Sequence, residues 1–425
     1  MTGLRQYLGL WHLPGAPALL IASIVGRLGM GMTSLALLLV IEAMTGRYSV
    51  AATAGAVYAV AGAAISPVVG RLADRVGPVK VLMVTAVTHP IALIWLLLAS
   101  RGGADNLPMV FVACAVAGAS FPPLTAAVRN AWNELTSPAS GRYNLRNTAL
   151  AAETTLFEVV FVVGPLVVAG FIVFADAAAA LIGVALATLV GTIAVALSPA
   201  MRGWRPHPKD SRTRGLGPLR LTGFPALLLC VAGLGIAFGV SGVAVPAFSG
   251  DHATGKEAET LAGILLAVWG VGSATGGLWF GTRRPAENLS RQFGLLLAGV
   301  GASFLVFALL PNPVALGIAL VIGGALIAPA LTLENMMVGR IAPPSMMNEA
   351  YTWVVTMAIG SAAAGGALAG LIVDHFGVGW AFVFAALAVG VAAVTAGRPG
   401  GSIARADTES RVRAEAGATL AAAGH

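Results

Sequence analysis

Twelve apolar stretches of roughly twenty residues follow one another along the chain, and this succession limits its fold more than any other feature. They cover about residues 18–40, 51–69, 81–100, 107–128, 148–174, 177–200, 222–248, 260–280, 293–310, 314–338, 351–373 and 378–396. All are rich in Leu, Val and Ala with many Gly, and at 1.5 Å per residue each can cross a hydrocarbon layer about 30 Å thick. Only 10% of the 425 residues are Asp, Glu, Lys or Arg. A soluble domain carries about 25%, so this chain cannot clothe a water-facing surface. Period-2 alternation is missing, which excludes a membrane β-barrel. The chain therefore reads as an all-α polytopic membrane protein with twelve transmembrane helices.

Most gaps between spans are short, so consecutive helices are antiparallel neighbours. The longest, 201–221, divides the chain into an expected six-helix bundle over 1–200, a basic linker, a second bundle over 222–397 and a flexible tail over 398–425. An even number of spans puts both termini on one side. Of the 25 basic residues, 21 fall on that side, Arg47, Arg101 and Lys256 on the other, and Arg27 inside span one. The positive-inside rule then places both termini in the cytoplasm of a multi-pass protein of the plasma or inner membrane. The sequence pI near 10.0 is thereby topogenic, with some contact to anionic lipid headgroups, and no nucleic-acid partner is expected.

Cys114 and Cys230 lie in apolar runs and read as small buried hydrophobes. His89, His252 and His375 lack metal-ligand spacing, no catalytic constellation is visible, and there is no phosphate-binding G-x-x-x-x-G-K-[ST] loop. Neither an enzyme nor a cofactor or metal is expected. The first seventeen residues carry one Arg and no small-residue cleavage pattern, so span one reads as retained.

Between spans two and three stands Gly70-Arg71-Leu72-Ala73-Asp74-Arg75-Val76-Gly77-Pro78-Val79-Lys80. With twelve helices in two groups of six, this resembles the signature loop of the major facilitator superfamily through Gly70, Leu72, Asp74, Arg75, Gly77 and Lys80. Gly70 and Gly77 are expected to permit a tight turn. The resemblance implies two pseudo-symmetric six-helix bundles, with Asp74 and Arg75 latching them on the cytoplasmic side. The corresponding place after span eight, Gly277 to Arg284, keeps glycines and a basic pair but has no acid.

In span five, Gly164-Pro165 followed by Gly170 is similar to the Gly-Pro motif of the superfamily's bacterial drug/proton antiporters. Pro165 can bend the helix, and the glycines are expected to allow approach between the two halves. A second hallmark of those antiporters, an arginine four residues before a glycine in span four, is replaced: Gly118 is present, but Cys114 stands in the arginine's place.

Few charges lie inside the spans. Arg27 is about 14 Å into span one, and Glu153 and Glu158 are about 8 and 15 Å into span five, which rises from the same side. An unpaired charge at mid-bilayer costs at least about 2.5 kcal/mol, so each should face the protein interior. An Arg27–Glu158 pair, or a group with Glu153, is expected near a central cavity, where proton binding could drive transport. Five residues turn a helix by about 500°, so Glu153 and Glu158 cannot both aim at one spot. Glu42 and Glu334 are expected at the membrane interface. Gly235/Gly239, Gly272/Gly276 and Gly366/Gly370 read as packing stripes, and Pro122-Pro123, Pro246 and Pro329 as interruptions that make candidate hinges.

The expected activity is secondary transport of a small organic solute by a functional monomer working by alternating access, with proton-coupled efflux favoured over uptake symport or facilitated diffusion. A receptor or scaffold would show a sizeable domain outside the membrane, and none appears.

Overall fold

The computed structural model describes residues 13, 15–136, 146–201, 217–281, 288–343, 346–410 and 412, with the side chains of 67, 71, 74, 104, 129–130, 133–134, 146–148, 150–158 and 347–349 excepted. Among them there is no strand. The membrane spans are built from the helices α1 (Ala16–Thr45), α2 (Tyr48–Val76), α3 (Pro78–Ser100), α4 (Leu107–Ala119), α5 (Leu124–Leu135), α6 (Arg146–Phe174), α7 (Ala177–Leu197), α8 (Phe224–His252), α9 (Lys256–Gly281), α10 (Leu289–Phe307), α11 (Pro313–Gly324), α12 (Ile327–Ile341), α13 (Met347–Phe376) and α14 (Val378–Gly397). Eleven spans are long and apolar enough to cross a membrane, and α6 adds the apolar segment Val159–Phe174. Helices are the solution hydrocarbon demands, because every backbone N–H and C=O must be paired within the segment.

Two spans are broken. Pro122-Pro123 separates α4 from α5, and the turn at Ala325-Leu326 separates α11 from α12. Pro329 cannot donate to the carbonyl of Ala325, which helps open that turn. Pro246, by contrast, lies inside a continuous α8.

Glycine determines how the helices meet, since lipid offers no hydrophobic drive between them and packing must come from close contact. A methyl group at Gly26 of α1 would sit 3.1 Å from the carbonyl carbon of Gly191 on α7, and one at Gly164 of α6 only 2.8 Å from Cα of Gly31 on α1. On α2, the same addition at Gly62 would meet the Gly118 carbonyl of α4 at 3.0 Å.

The second half repeats these pairings. Gly233 of α8 abuts Ala392 of α14, Gly239 of α8 lies against Gly366 of α13, and Gly276 of α9 lies against Ala325 beyond α11. Likewise α3 packs along α7 as α10 packs along α14. Two tight turns depend on glycine, at different places in the two halves. Gly77 (φ 98°) links α2 to α3 after Asp74-Arg75-Val76, and Gly377 (φ 89°) links α13 to α14 after Asp374-His375-Phe376. Only glycine adopts such a conformation without strain. Gly70, expected to share in the first turn, is inside α2 instead.

By contacts the chain forms two compact units. One holds α1 to α7 with Ser249–Ala267 of the α8–α9 region, and the other holds the rest of α8 and α9 with α10 to α14. In the first unit, Gly263 of α9 admits the Pro165 carbonyl of α6, 2.6 Å from where its Cβ would lie.

The tail from 398 does not behave throughout as a flexible segment. Residues 402–410 are helical, and Ile403, Ala406 and Asp407 are buried. A substitution Gly26→Leu or Gly276→Leu should overpack its crossing by about 1–3 kcal/mol and lower the thermal unfolding midpoint of the purified protein. Gly170→Leu, with nothing within 4 Å of its Cβ position, should change stability by no more than about 0.5 kcal/mol.

Candidate functional site

An interrupted helix leaves backbone polar groups unpaired and gives the chain a pivot, so the breaks are where a site is looked for first. Here the fourth span of each six is the broken one. Three buried polar features lie around these breaks or beside the helices that flank them.

The first is Arg27. It lies eleven residues along α1 and is only 2% exposed, so its guanidinium is held inside the protein and away from lipid. Its helix meets α7 through Gly26 and α6 through Gly31. Thr188 and Thr192 of α7 are fully buried at the same contact. The expected partners Glu153 and Glu158 belong to α6, but their side chains fall outside the described residues, as does that of Asp74. Arg75 and Lys80 are exposed.

His89 of α3 is the second. Its Nδ1 lies 2.8 Å from the Ala117 carbonyl, near the end of α4, and its ring packs edge-on against Phe121 in the break itself at 5.3 Å and against Tyr58 of α2 at 6.2 Å. The Ala117 carbonyl can only accept, so Nδ1 carries the proton and Nε2 presents a lone pair, for which there is no hydrogen-bond partner among the described residues. Cys114, in the place of the antiporter arginine, is buried one turn earlier on α4.

Glu334 of α12 is the third. It is 5% exposed, and its Oε2 has no hydrogen-bond partner among the described residues. Helix phase encloses it: Ala330, Met337, Val338 and Ile341 lie three, four or seven residues away on the same buried face. Glu42, near the end of α1, is half-buried.

The Gly-Pro element of α6 divides its work in a way the residue pattern alone did not indicate. Gly164 makes its close approach to α1, and Gly170 approaches nothing. The contact with a helix from the other half of the sequence is made by the carbonyl of Pro165, and the glycine that permits it, Gly263, is on α9.

A model of the Major Facilitator Superfamily matches residues 19–284. The chain belongs to the major facilitator superfamily. Among solved structures, this superfamily member is similar to the nucleoside transporter NupG, at 16% identity and TM-score 0.68 over 89% of this chain and 97% of that one. A point variant of NupG gives 14% and 0.71 over 89% and 98%. An auto-inhibited POT family peptide transporter gives 12% and 0.67 over 92% and 96%. At these identities the likeness is one of fold. A comparison with curated protein sequences gives no match. As a major facilitator chain, this is a transporter and a multi-pass membrane protein, and a transporter of this kind binds a small-molecule substrate.

An acid from the tail reaches the start of α10. Asp407, 3% exposed, accepts hydrogen bonds from the backbone N–H groups of Leu289 (3.1 Å) and Ser290 (3.4 Å) and forms an ion pair with Arg340 at the end of α12. An acid on the first N–H groups of α10 is favoured by the helix dipole. Ser290 Oγ donates to the Ala396 carbonyl at 2.6 Å, binding the same corner to α14. Replacing Asp407 by Ala should cost about 1–2 kcal/mol, read as a lower unfolding midpoint. Ending the chain after Gly397 should cost at least as much.

Proposed function

We propose that this major facilitator protein moves a small, largely apolar organic solute by alternating access, acts as a monomer, and couples the solute's efflux to proton entry. One observation carries the reading: Arg27 is fully enclosed in a span otherwise almost without charge. A guanidinium there needs a counter-charge. The acids of the neighbouring helix α6, Glu153 and Glu158, are the candidates. The crossing of α1 and α6 at Gly31 and Gly164 supports Glu158: Arg27 precedes Gly31 by four residues, and Glu158 precedes Gly164 by six, on helices expected to run in the same direction. A carboxyl that pairs with Arg27 in one state and takes up a proton in another would link proton movement to a change of conformation.

The energetics suffice. One elementary charge crossing about 100 mV releases about 2.3 kcal/mol, enough for roughly fifty-fold accumulation. The scarcity of polar side chains in the spans disfavours a solute recognised through many hydrogen bonds, such as a sugar. The basic-residue bias supports cytoplasmic termini in the cell membrane, with Asp74 and Arg75 as a latch on that side and contacts from exposed Arg and Lys to lipid headgroups.

A second reading, uptake by symport, is favoured by a specific observation: Gly164 packs within the first half, as an ordinary helix contact would require, and the antiporter arginine is replaced by the buried Cys114. Flux in proteoliposomes, with and without an imposed pH gradient and across cationic, neutral and anionic solutes, separates the cases. Efflux coupling predicts accumulation on the side from which protons leave, and symport predicts the opposite side. Glu158→Gln should bring accumulation back toward unity while downhill flux continues. Flux that ignores the gradient altogether would identify a uniporter.

A further inference from the structure

We propose that Glu334 is a proton-binding site in the second half of the chain, carrying its proton while enclosed and giving it up when the broken span α11–α12 bends. The site itself follows from geometry, and only its part in coupling rests on the proton-driven reading above.

Glu334 is 5% exposed and has a carboxyl oxygen with no hydrogen-bond partner among the described residues. Its face of α12 is apolar, with Ala330, Met337 and Val338 all buried. An ionised carboxylate in such a place would forfeit its hydration without compensation, a cost of several kcal/mol, whereas the protonated acid gives up far less. A metal cation is a poor alternative occupant, since it needs several oxygen ligands, which this face does not offer.

Among the described residues of the helices around α12, no opposite charge is positioned to change this. The titratable groups on the helices around α12, among the described residues, are few. On α8 they are Cys230, close enough to sense the carboxyl electrostatically, with Asp251 and His252 at the far end. The thiol of Cys230 is directed to the Ala392 carbonyl at 3.4 Å. Helix α10 has Arg291 in its first turn, and α13 has Tyr351 near its start with Asp374 and His375 at its end. Helix α11 and the part of α9 from Val268 onward have none. On α12 itself, Arg340 is six residues further on and is engaged by Asp407.

A buried acid can act as a carrier only if something exposes it in turn. Eight residues before Glu334, about 12 Å along the helix, the span is interrupted at Ala325-Leu326, where Pro329 cannot close the Ala325 hydrogen bond. Bending there would move α12 and its carboxyl relative to α11.

The test uses the full chain in lipid vesicles with dicyclohexylcarbodiimide, an apolar reagent that attacks protonated carboxyls, and peptide mass spectrometry as the readout. Glu334 should be modified, and its modification should fall as the pH is raised, by about tenfold per unit once the ionised form dominates. No modification of Glu334 at any pH, or modification independent of pH, would overturn the proposal. Glu334→Gln should abolish the signal and remove the gradient dependence of flux. A Gln variant that keeps gradient-driven accumulation excludes Glu334 from coupling. Labelling of the natural chain decides the site even should that variant fail to fold. Should labelling follow pH while flux ignores the gradient, the site stands and the proton-driven reading falls.

Discussion

Hydrocarbon does not solvate charge or an open backbone hydrogen bond, and nearly every feature of this protein answers to that fact. The backbone answers with helices, and the helices, having no hydrophobic incentive to associate within lipid, answer with glycine. Gly26, Gly31, Gly118, Gly164, Gly239 and Gly276 stand at crossings where a single methyl group would intrude on a neighbour's backbone. The few ionisable groups answer by withdrawing into the protein: Arg27 in the first half and Glu334 in the second are both enclosed.

The two halves share a plan and differ in chemistry. Their helices pair in the same order, and their fourth spans break. On this common frame the first half carries a cation, Arg27, and a histidine whose ring faces the break at Phe121. The second carries an acid one helix segment beyond its break. The packing thus repeats between the halves while the buried charge does not.

Hydropathy made the spans legible, because length and apolarity are local properties that a chain cannot conceal. The superfamily was legible in Gly70 to Lys80 for the same reason. Less accessible was whatever depended on helix phase or on distant partners. Which way Glu334 faces is not written in its neighbours, and the phase of α12 turns the carboxyl inward. Gly70 looks like a turn residue, yet α2 runs on to Val76 and leaves the turn to Gly77. His89 has no local signal, since its meaning comes from Ala117, 28 residues away, and the tail looks shapeless because Asp407 meets Leu289 across 118 residues.

That last separation bears on how the protein is made. The acid that completes the start of α10 leaves the ribosome long after α10 has entered the membrane, so throughout that interval the corner formed by α10, α12 and α14 lacks its final fastening. A chain released a few dozen residues early would have every membrane span in place and yet present an unfinished corner, a difference that surveillance proteases reading exposed helix ends could act upon.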